Sequence, residues 1–178
     1  MRTITSSRLA LRALTAGAAE RALAGTEPGR LTFAEGYPSA FATQVLRLVA
    51  LYPAIDEEVG ADAPDLGPWL LLRRSDEAVI GTVSCAHTRN PSEVSVGYDI
   101  ARSCRGQGYA TEALGTVVEH LLSLPDILRV SAETVSDHVA SRRVMEKAGM
   151  RWQRDEVAQS DGREVKLVHY AIDRPDPI

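Results

Sequence analysis

The sequence predicts an α/β fold in a single domain spanning residues 1–178. Runs with apolar residues at every second position, typical of strands, alternate with longer runs in which apolar residues recur three or four positions apart, typical of helices. A chain of 178 residues is a usual length for one domain and can bury a substantial core. No internal repeat or low-complexity stretch in the sequence points to a second domain.

The two patterns predict seven strands and four helices. In chain order, the strands are 3–14, 69–74, 78–88, 93–100, 128–134, 151–158 and 164–172. The helices are 16–24, 38–52, 108–123 and 138–148. Short polar turns join neighbouring strands: Ser75-Asp76-Glu77 joins the second to the third, and Asp161-Gly162 joins the last two.

Start and stop signals support the helix boundaries. The first helix is rich in alanine, and Pro38 is suited to open the second because its missing N–H group is not needed in a first turn. Asp137 is suited to cap the fourth helix, and Gly149 to end it.

Apolar spacing predicts which helix faces are buried. In the second helix we expect the buried face to contain Phe41, Val45, Leu48 and Val49. In the third helix, the residues that recur at helical spacing are Ala110, Leu114, Val117, Val118, Leu121 and Leu122.

The composition excludes several classes of protein. No apolar run approaches the roughly 20 residues that a membrane-spanning helix needs, and arginines interrupt the N-terminal apolar residues, so we expect neither a membrane protein nor a signal peptide. The formal net charge is −4 and no basic patch with interleaved aromatic residues occurs, so we expect no nucleic-acid partner. Cys85 and Cys104 lie in unlike contexts, which favours reduced thiols and a cytoplasmic protein.

A glycine-rich turn, Arg105-Gly106-Gln107-Gly108-Tyr109-Ala110, lies between a predicted strand and a predicted helix. The free N–H groups and the dipole at a helix start favour an anion, typically a phosphate, and glycines let it approach the backbone. The turn is not a P-loop, which requires Gly-x-x-x-x-Gly-Lys-Ser/Thr. It is not a full dinucleotide fingerprint either, because Thr111 stands where the third glycine belongs. An ordinary strand-to-helix turn remains the alternative.

The turn and its flanks resemble the GNAT acyl-CoA N-acyltransferases. Arg105-x-x-Gly108-x-Ala110 is similar to the family's Gln/Arg-x-x-Gly-x-Gly/Ala pattern. The segments similar to the branch that includes the ribosomal-protein N-terminal acetyltransferases are Ser7-Arg8-Leu9-Ala10-Leu11-Arg12, Val96-Gly97-Tyr98 and Ala140-Ser141-Arg142-Arg143-Val144-Met145-Glu146-Lys147-Ala148-Gly149-Met150. The resemblance implies an α+β fold with a central mixed, mostly antiparallel sheet of about six or seven strands flanked by about four helices.

The resemblance also implies acetyl-CoA as co-substrate and no metal. In the family, acetyl-CoA lies between the strand that ends here at Ile100 and the strand predicted at 128–134. The backbone of Tyr98, Asp99 and Ile100 would then meet the pantetheine and the thioester carbonyl. The residues that would hold the pyrophosphate are Gly106, Gln107, Gly108, Tyr109, Ala110 and Thr111, with Arg105 near it. His138 stands where relatives have an asparagine near the pantetheine, and its alternative is an exposed residue of a first helical turn.

Catalysis is where the sequence departs from its relatives. Many of them carry a glutamate two residues before the Gly-Tyr pair, where it helps to take a proton from the attacking amine through water; here that residue is Ser95. Glu93 lies on the same face of the strand, roughly 6.6 Å away, and either takes over through water or is a solvated residue at a strand end. Ser141 matches the family's serine near the sulfur and would protonate or hydrogen-bond the departing thiolate, unless it is a helix-surface serine.

These features predict an N-acetyltransferase that moves an acetyl group from acetyl-CoA to a primary amine by direct attack in a ternary complex. A weak base harms alkylamine acceptors most, so we expect a peptide N-terminus, an amino acid or another amine of low pKa. The acidic loop at 56–65 either attracts a cationic acceptor or only solubilises the surface.

Three other functions and the oligomeric state stay open. The alternative functions are an antibiotic-type amine acetyltransferase, a non-catalytic acyl-CoA sensor and an unrelated nucleotide-binding α/β protein. The sequence also leaves open whether the chain forms a homodimer.

Overall fold

The computed structural model describes residues 3–24, 32–51, 66–160 and 162–175. The strands in these ranges are β1 (Thr3–Thr5), β2 (Leu9–Ala13), β3 (Trp69–Arg73), β4 (Val79–His87), β5 (Glu93–Ile100), β6 (Arg129–Val135), β7 (Arg151–Ser160) and β8 (Arg163–Asp173). The helices are α1 (Ala16–Ala24), α2 (Ala40–Leu51), α3 (Tyr109–Ser123) and α4 (Val139–Lys147). One turn of 3₁₀ helix, Arg102–Cys104, lies between β5 and α3.

The eight described strands form one sheet in the order β1-β2-β3-β4-β5-β6-β8-β7. Neighbouring strands are antiparallel except for β5 and β6, which are parallel. The predicted fold, a mixed and mostly antiparallel sheet with four helices, is therefore confirmed. The number of strands is larger than the six or seven expected.

The prediction of a single strand over 3–14 is wrong. The chain reverses at residues 6–8, so that β1 pairs antiparallel with β2. Ser6 holds this turn, since its N–H donates to the carbonyl of Leu9 (2.9 Å) and its hydroxyl accepts from the N–H of Leu9 (3.1 Å). The positions of the apolar residues also show the reversal. The partly buried Ile4 is at an even-numbered position, whereas the buried Leu9 and Leu11 of the same core are at odd-numbered positions.

Alternate residues of the central strands face different helical layers. Leu71 of β3 belongs to a core that includes Leu114 of α3 and Met145 of α4. Leu70 and Leu72 belong to a second core, to which α1 and α2 contribute. The sheet therefore lies between α3 and α4 on one face and α1 and α2 on the other.

The buried face of α2 differs from the predicted one. Ala42 and Leu46 are fully buried, and Val45 and Val49 pack beside them. Leu48 is 59% exposed, so its predicted burial is wrong: the helix buries only a narrow stripe against the sheet. Tyr52, where the helix was predicted to end, and the acidic loop at 56–65 lie outside the described residues.

One of the two signals for the fourth helix is confirmed. Gly149 has a φ of 87°, and its N–H donates to the carbonyl of Glu146, so it ends α4 as predicted. The predicted cap is wrong, because the N-cap residue is His138 and no side chain caps the helix. A bond from the N–H of His138 to the carbonyl of Val135 (3.0 Å) tightens the preceding turn and moves the helix start past Asp137.

Strands β5 and β6 diverge after three paired positions. Residues 93–95 pair with residues 129–131, and no pairing continues beyond Ser95 and Ser131. Each strand keeps its outer neighbour, since β5 stays paired with β4 up to Ile100 and β6 with β8 up to Val135. The divergence therefore opens a gap in the sheet between residues 96–100 and 132–135, which we call the wedge.

Candidate active site

The glycine-rich turn leads from β5 into α3. Gly106 (φ 74°) and Gly108 (φ 82°) both adopt left-handed backbone conformations that other residues rarely adopt. A Cβ atom on Gly106 would meet nothing within 4 Å, so this position requires glycine for its conformation and not for space. Gly108 is the N-cap of α3 and supplies no side chain to the N–H groups of the first turn.

Those N–H groups are available to a ligand. For Gly108, Tyr109, Ala110 and Thr111, no described residue accepts a hydrogen bond from the backbone N–H. The first bond of the helix runs from the N–H of Glu112 to the carbonyl of Gly108 (3.1 Å). Four N–H groups at a helix start, aligned with the positive end of its dipole, make a binding site for an anion.

Arg8 and Glu112 fasten the β1–β2 turn to the first turn of α3. Glu112 Oε1 accepts from the Ser6 hydroxyl and from the N–H of Arg8, both at 2.7 Å, and its Oε2 accepts from Arg8 Nε at 2.6 Å. Arg8 also donates to the carbonyl of Gln107 (2.9 Å), and its guanidinium lies 4.4 Å from the ring centre of Tyr109. Burial disfavours the charged carboxylate, but these hydrogen bonds together outweigh it and lower the pKa of Glu112. Arg8 thus balances the negative charge of Glu112 in the first turn of α3.

Two other residues of the turn are also held in place. Arg105 donates from Nε to the carbonyl of Ile100 (3.1 Å), so its exposed side chain folds back onto the end of β5. Gln107 donates from Nε2 to the carbonyl of Ser103 (3.2 Å). Both side chains therefore brace the turn and leave its N–H groups uncovered.

The structure brings together two of the predicted site residues, Tyr98 of β5 and Ser141 of α4. The Tyr98 hydroxyl lies 2.9 Å from Ser141 Oγ and donates to the backbone carbonyl of Ser141 at 3.1 Å. Burial raises the pKa of Tyr98, and the hydrogen bond with Ser141 partly offsets that effect. Tyr98 is therefore held as a neutral phenol that links β5 to α4 on the α3 and α4 side of the wedge.

Two further predicted residues lie apart from this pair. The carboxylate of Asp99 is buried, and neither oxygen has an aligned hydrogen bond with a described residue, although Ser39 and the backbone of Thr82 lie beside it. Burial raises the pKa of Asp99. The exposed His138 has its Nδ1 3.3 Å from the Thr134 hydroxyl.

Glu93 and Ser95 line a cavity of about 530 Å³ on the paired ends of β5 and β6. Gly97 continues their face of β5, and a Cβ atom there would come within 2.9 Å of Phe41 Cζ, so this face looks toward α2. The full lining is Thr88, Arg89, Asn90, Glu93, Ser95, Arg129, Ser131, Ala132, Glu133, Gln153, Arg154, His169, Tyr170 and Ala171. Most of these side chains are polar or charged, so the cavity suits a polar ligand.

Several residues of this region were missed by the sequence analysis. Glu112 carried a usable signal, because an acidic residue in a first turn marks a helix start, where it interacts favourably with the dipole. No sequence signal pointed to Glu133, Arg154 or His169, because only sheet pairing brings these residues to the cavity. Among the described residues, no group of three or more His, Cys, Asp or Glu side chains is arranged to hold a metal ion. The described helices include none long and apolar enough to cross a membrane.

A family model described as an acetyltransferase (GNAT) domain matches residues 8–151. No curated protein sequence matches the chain significantly.

Solved structures with this fold include enzymes with different acceptors. A GNAT-family acetyltransferase from Bacillus anthracis superposes with a TM-score of 0.72 at 16% identity, over 97% of this chain and 99% of that chain. The ribosomal L7/L12 α-N-protein acetyltransferase RimL, in complex with coenzyme A, gives a TM-score of 0.71 at 19% identity over 97% and 98% of the two chains. A spermidine N-acetyltransferase chimera of SpeG from Vibrio cholerae and hSSAT gives 0.69 at 15% identity over 94% and 96%. At these identities the likeness establishes the fold and leaves the acceptor open.

Proposed function

The chain belongs to the GNAT acetyltransferase family, whose members depend on acetyl-CoA, and we propose that it transfers the acetyl group to an α-amino group or another amine of low pKa. The observation that carries the proposal is the wedge between β5 and β6, which leads to four N–H groups at the start of α3 that no described residue pairs. The wedge suits an extended chain and the helix start suits a diphosphate, so together they fit coenzyme A.

In this proposal the residues of β5 and of the turn bind the donor. The backbone of Tyr98, Asp99 and Ile100 lines the wedge and meets the pantetheine. The N–H groups of residues 106–111 receive the pyrophosphate, with Arg105 near it and Arg8 as a second cation beside the turn. His138, at the start of α4, borders the pantetheine.

The Tyr98–Ser141 pair supports the departure of coenzyme A. It offers a hydroxyl hydrogen on the α4 side of the wedge, where the sulfur would lie, and a hydrogen bond to a developing thiolate is worth more than one to a neutral sulfur. Ser95 and Glu93 line the cavity on the other side, where an acceptor amine can approach. Attack is direct, with no covalent enzyme intermediate, so orientation of the two substrates contributes several kcal/mol.

The ionisation of the acceptor favours α-amines. At pH 7 an α-amino group with a pKa near 7.8 is neutral about one time in seven, whereas a lysine-like amine near 10.4 is neutral about once in 2,500. Because Ser95 replaces the usual glutamate, that position provides no base, and an acceptor that is more often neutral at pH 7 needs less help.

Thiol release from acetyl-CoA, measured with matched acceptors, tests this proposal. The acceptors are a dipeptide amide with a free N-terminus, the same dipeptide with a blocked N-terminus, and a simple primary alkylamine. We expect turnover with the first and little with the other two. Efficient turnover of the alkylamine without turnover of the free dipeptide would refute the acceptor assignment.

A non-catalytic acyl-CoA sensor is the second candidate, and the absence of the expected glutamate at Ser95 favours it. A sensor would bind coenzyme A in a calorimetric titration and release no thiol with any amine. An unrelated nucleotide-binding role would instead show stabilisation by ATP or NAD and none by coenzyme A.

A further inference from the structure

Glu133 occupies the position on β6 where the wedge begins. The last residue of β6 that pairs with β5 is Ser131, and Glu133 is the next residue on the same face, roughly 6.6 Å farther along the strand. It lines the cavity together with Ser95, and its side chain is 55% exposed. A carboxylate therefore stands where the cavity meets the opening of the sheet.

The imidazole of His169 lies beside this carboxylate on the neighbouring strand, where it forms an ion pair when it is protonated. Glu133 of β6 and His169 of β8 are directly paired in the sheet, and His169 Nδ1 lies 3.4 Å from Glu133 Oε2. On its other side, His169 Nε2 lies 3.0 Å from Glu156 Oε2, although the two are not aligned for a hydrogen bond. The His169 side chain is only 17% exposed, so its ring has little freedom to turn away.

Glu156, a residue of β7, is itself held by a neighbour on the same strand. Arg154 donates to it, and this bond together with His169 holds the pKa of Glu156 below its ordinary value. The chain of contacts runs from Arg154 through Glu156 and His169 to Glu133, and Arg154, His169 and Glu133 line the cavity beside the wedge. Such support fixes the direction of a carboxylate better than solvent does.

Glu93, the base expected from the sequence, is less favourably placed. It lies in the paired part of β5, opposite Arg129, and therefore farther from the opening than Ser95. Among the described residues, none holds its carboxylate by a hydrogen bond or ion pair. Position and support both favour Glu133 over Glu93.

We propose that Glu133, positioned by His169, takes the proton from the attacking amine; this rests on the acetyltransferase function proposed above. The lone pair of the neutral amine forms a bond to the thioester carbonyl carbon, and the nitrogen gives one proton to the Glu133 carboxylate. The carbon–sulfur bond then breaks, its electron pair leaves on sulfur, and the thiolate takes up a proton through the Tyr98–Ser141 pair or from solvent. Glu133 is the catalytic residue, and His169 is a positioning residue.

The test compares Glu133→Gln with the rival Glu93→Gln, and uses Glu119→Gln, an exposed site on α3, as the control. With a free-N-terminal dipeptide amide, we expect Glu133→Gln to lower kcat/KM about 10²-fold or more below the acceptor's pKa, and Glu93→Gln to have a much smaller effect. The Glu133→Gln deficit should shrink as the pH rises, because hydroxide then increasingly replaces the carboxylate as the proton acceptor. The ionisable groups that share the cavity wall with Glu133 are Arg89, Glu93, Arg129, Arg154, His169 and Tyr170.

A double-mutant cycle tests the positioning role of His169. We expect His169→Phe to lower kcat about tenfold in the wild-type background and to have little further effect in Glu133→Gln. If His169 had a purely structural role, His169→Phe would lower kcat by the same factor in both backgrounds. Coenzyme A affinity, measured by calorimetry, should stay unchanged in Glu133→Gln, Glu93→Gln and His169→Phe.

Several results would overturn the proposal. They are an unchanged rate in Glu133→Gln, a deficit that is constant at every pH, or a larger loss in Glu93→Gln. A wild-type protein that binds coenzyme A and releases no thiol with any amine would refute the proposed function itself, and the Glu133 assignment would fall with it.

Discussion

Replacing Glu112 by alanine is expected to destabilise the protein and to weaken coenzyme A binding together. The carboxylate joins the β1–β2 turn to the first turn of α3 through the Ser6 hydroxyl, the Arg8 N–H and the Arg8 side chain. Without it, Arg8 loses the contact that directs its guanidinium toward the carbonyl of Gln107 and the ring of Tyr109.

The magnitude follows from the three bonds. The hydrogen bonds from Ser6 and from the Arg8 N–H, at 2.7 Å, contribute about 1 kcal/mol each, somewhat more if the charge is included. The ion pair with Arg8, whose side chain is 46% exposed, adds less than about 1 kcal/mol because solvent screens it. The sum is about 2–3 kcal/mol, which in a chain of this size lowers Tm by about 4–12 °C.

Thermal unfolding at several pH values and calorimetric titration with coenzyme A measure both effects, with Glu119→Ala as the control. The folded-state pKa of Glu112 is lowered, so its contribution is fully present above its ordinary pKa of 4.5 and is lost as the pH falls through the lowered value. The Tm difference should therefore be largest at neutral pH and shrink in acid. If Glu112→Ala matches Glu119→Ala in both Tm and coenzyme A affinity, the role assigned to the Glu112 contacts is refuted.

Three further predictions follow from the same site. Gly106→Ala and Gly162→Ala each place a Cβ atom at nearly the same positive φ (74° and 73°) with open space around it, so each should lower the free energy of unfolding by about 1 kcal/mol. Only Gly106→Ala should weaken coenzyme A binding. Tyr98→Phe removes the hydroxyl that contacts Ser141, and if that hydroxyl helps the thiolate to leave, kcat should fall about tenfold in a thiol-release assay while the Kd for coenzyme A stays constant. Asp99→Asn should raise the free energy of unfolding by about 1 kcal/mol at neutral pH, because a buried carboxylate with a raised pKa destabilises the folded protein as the pH rises. The gain should vanish below the ordinary pKa of 3.8, and a gain that persists there would contradict the reasoning.

The fold was largely readable from the sequence because its signals are local. Strand alternation and helical spacing identified the elements from 69 onward, and the glycine-rich turn was found where Gly106 and Gly108 adopt positive φ. The reversal at residues 6–8 is not visible from polarity alone. It is marked by a shift of the apolar residues from an even-numbered position, Ile4, to an odd-numbered one, Leu9.

The site was readable only in part because it depends on sheet pairing. The Tyr98–Ser141 contact joins residues that a family resemblance had named separately, and Glu93 and Ser95 do line one cavity. Glu133 and His169 escaped notice because nothing in the spacing of two residues so far apart shows that β6 and β8 place them side by side. The exposure of Leu48 was missed for a similar reason, since periodicity gives a face of α2 but not how much of it the sheet covers.

The most direct measurement locates the acetyl group on an acceptor that offers two amines. A short peptide with a free N-terminus and one lysine is incubated with the protein and acetyl-CoA, and tandem mass spectrometry identifies the modified nitrogen. We expect the acetyl group on the N-terminal nitrogen in the wild-type protein and much less of it with Glu133→Gln. An acetyl group on the lysine would contradict the proposed acceptor, and an unmodified peptide, tested beside a panel of small amines that also stay unmodified, would contradict the transferase function.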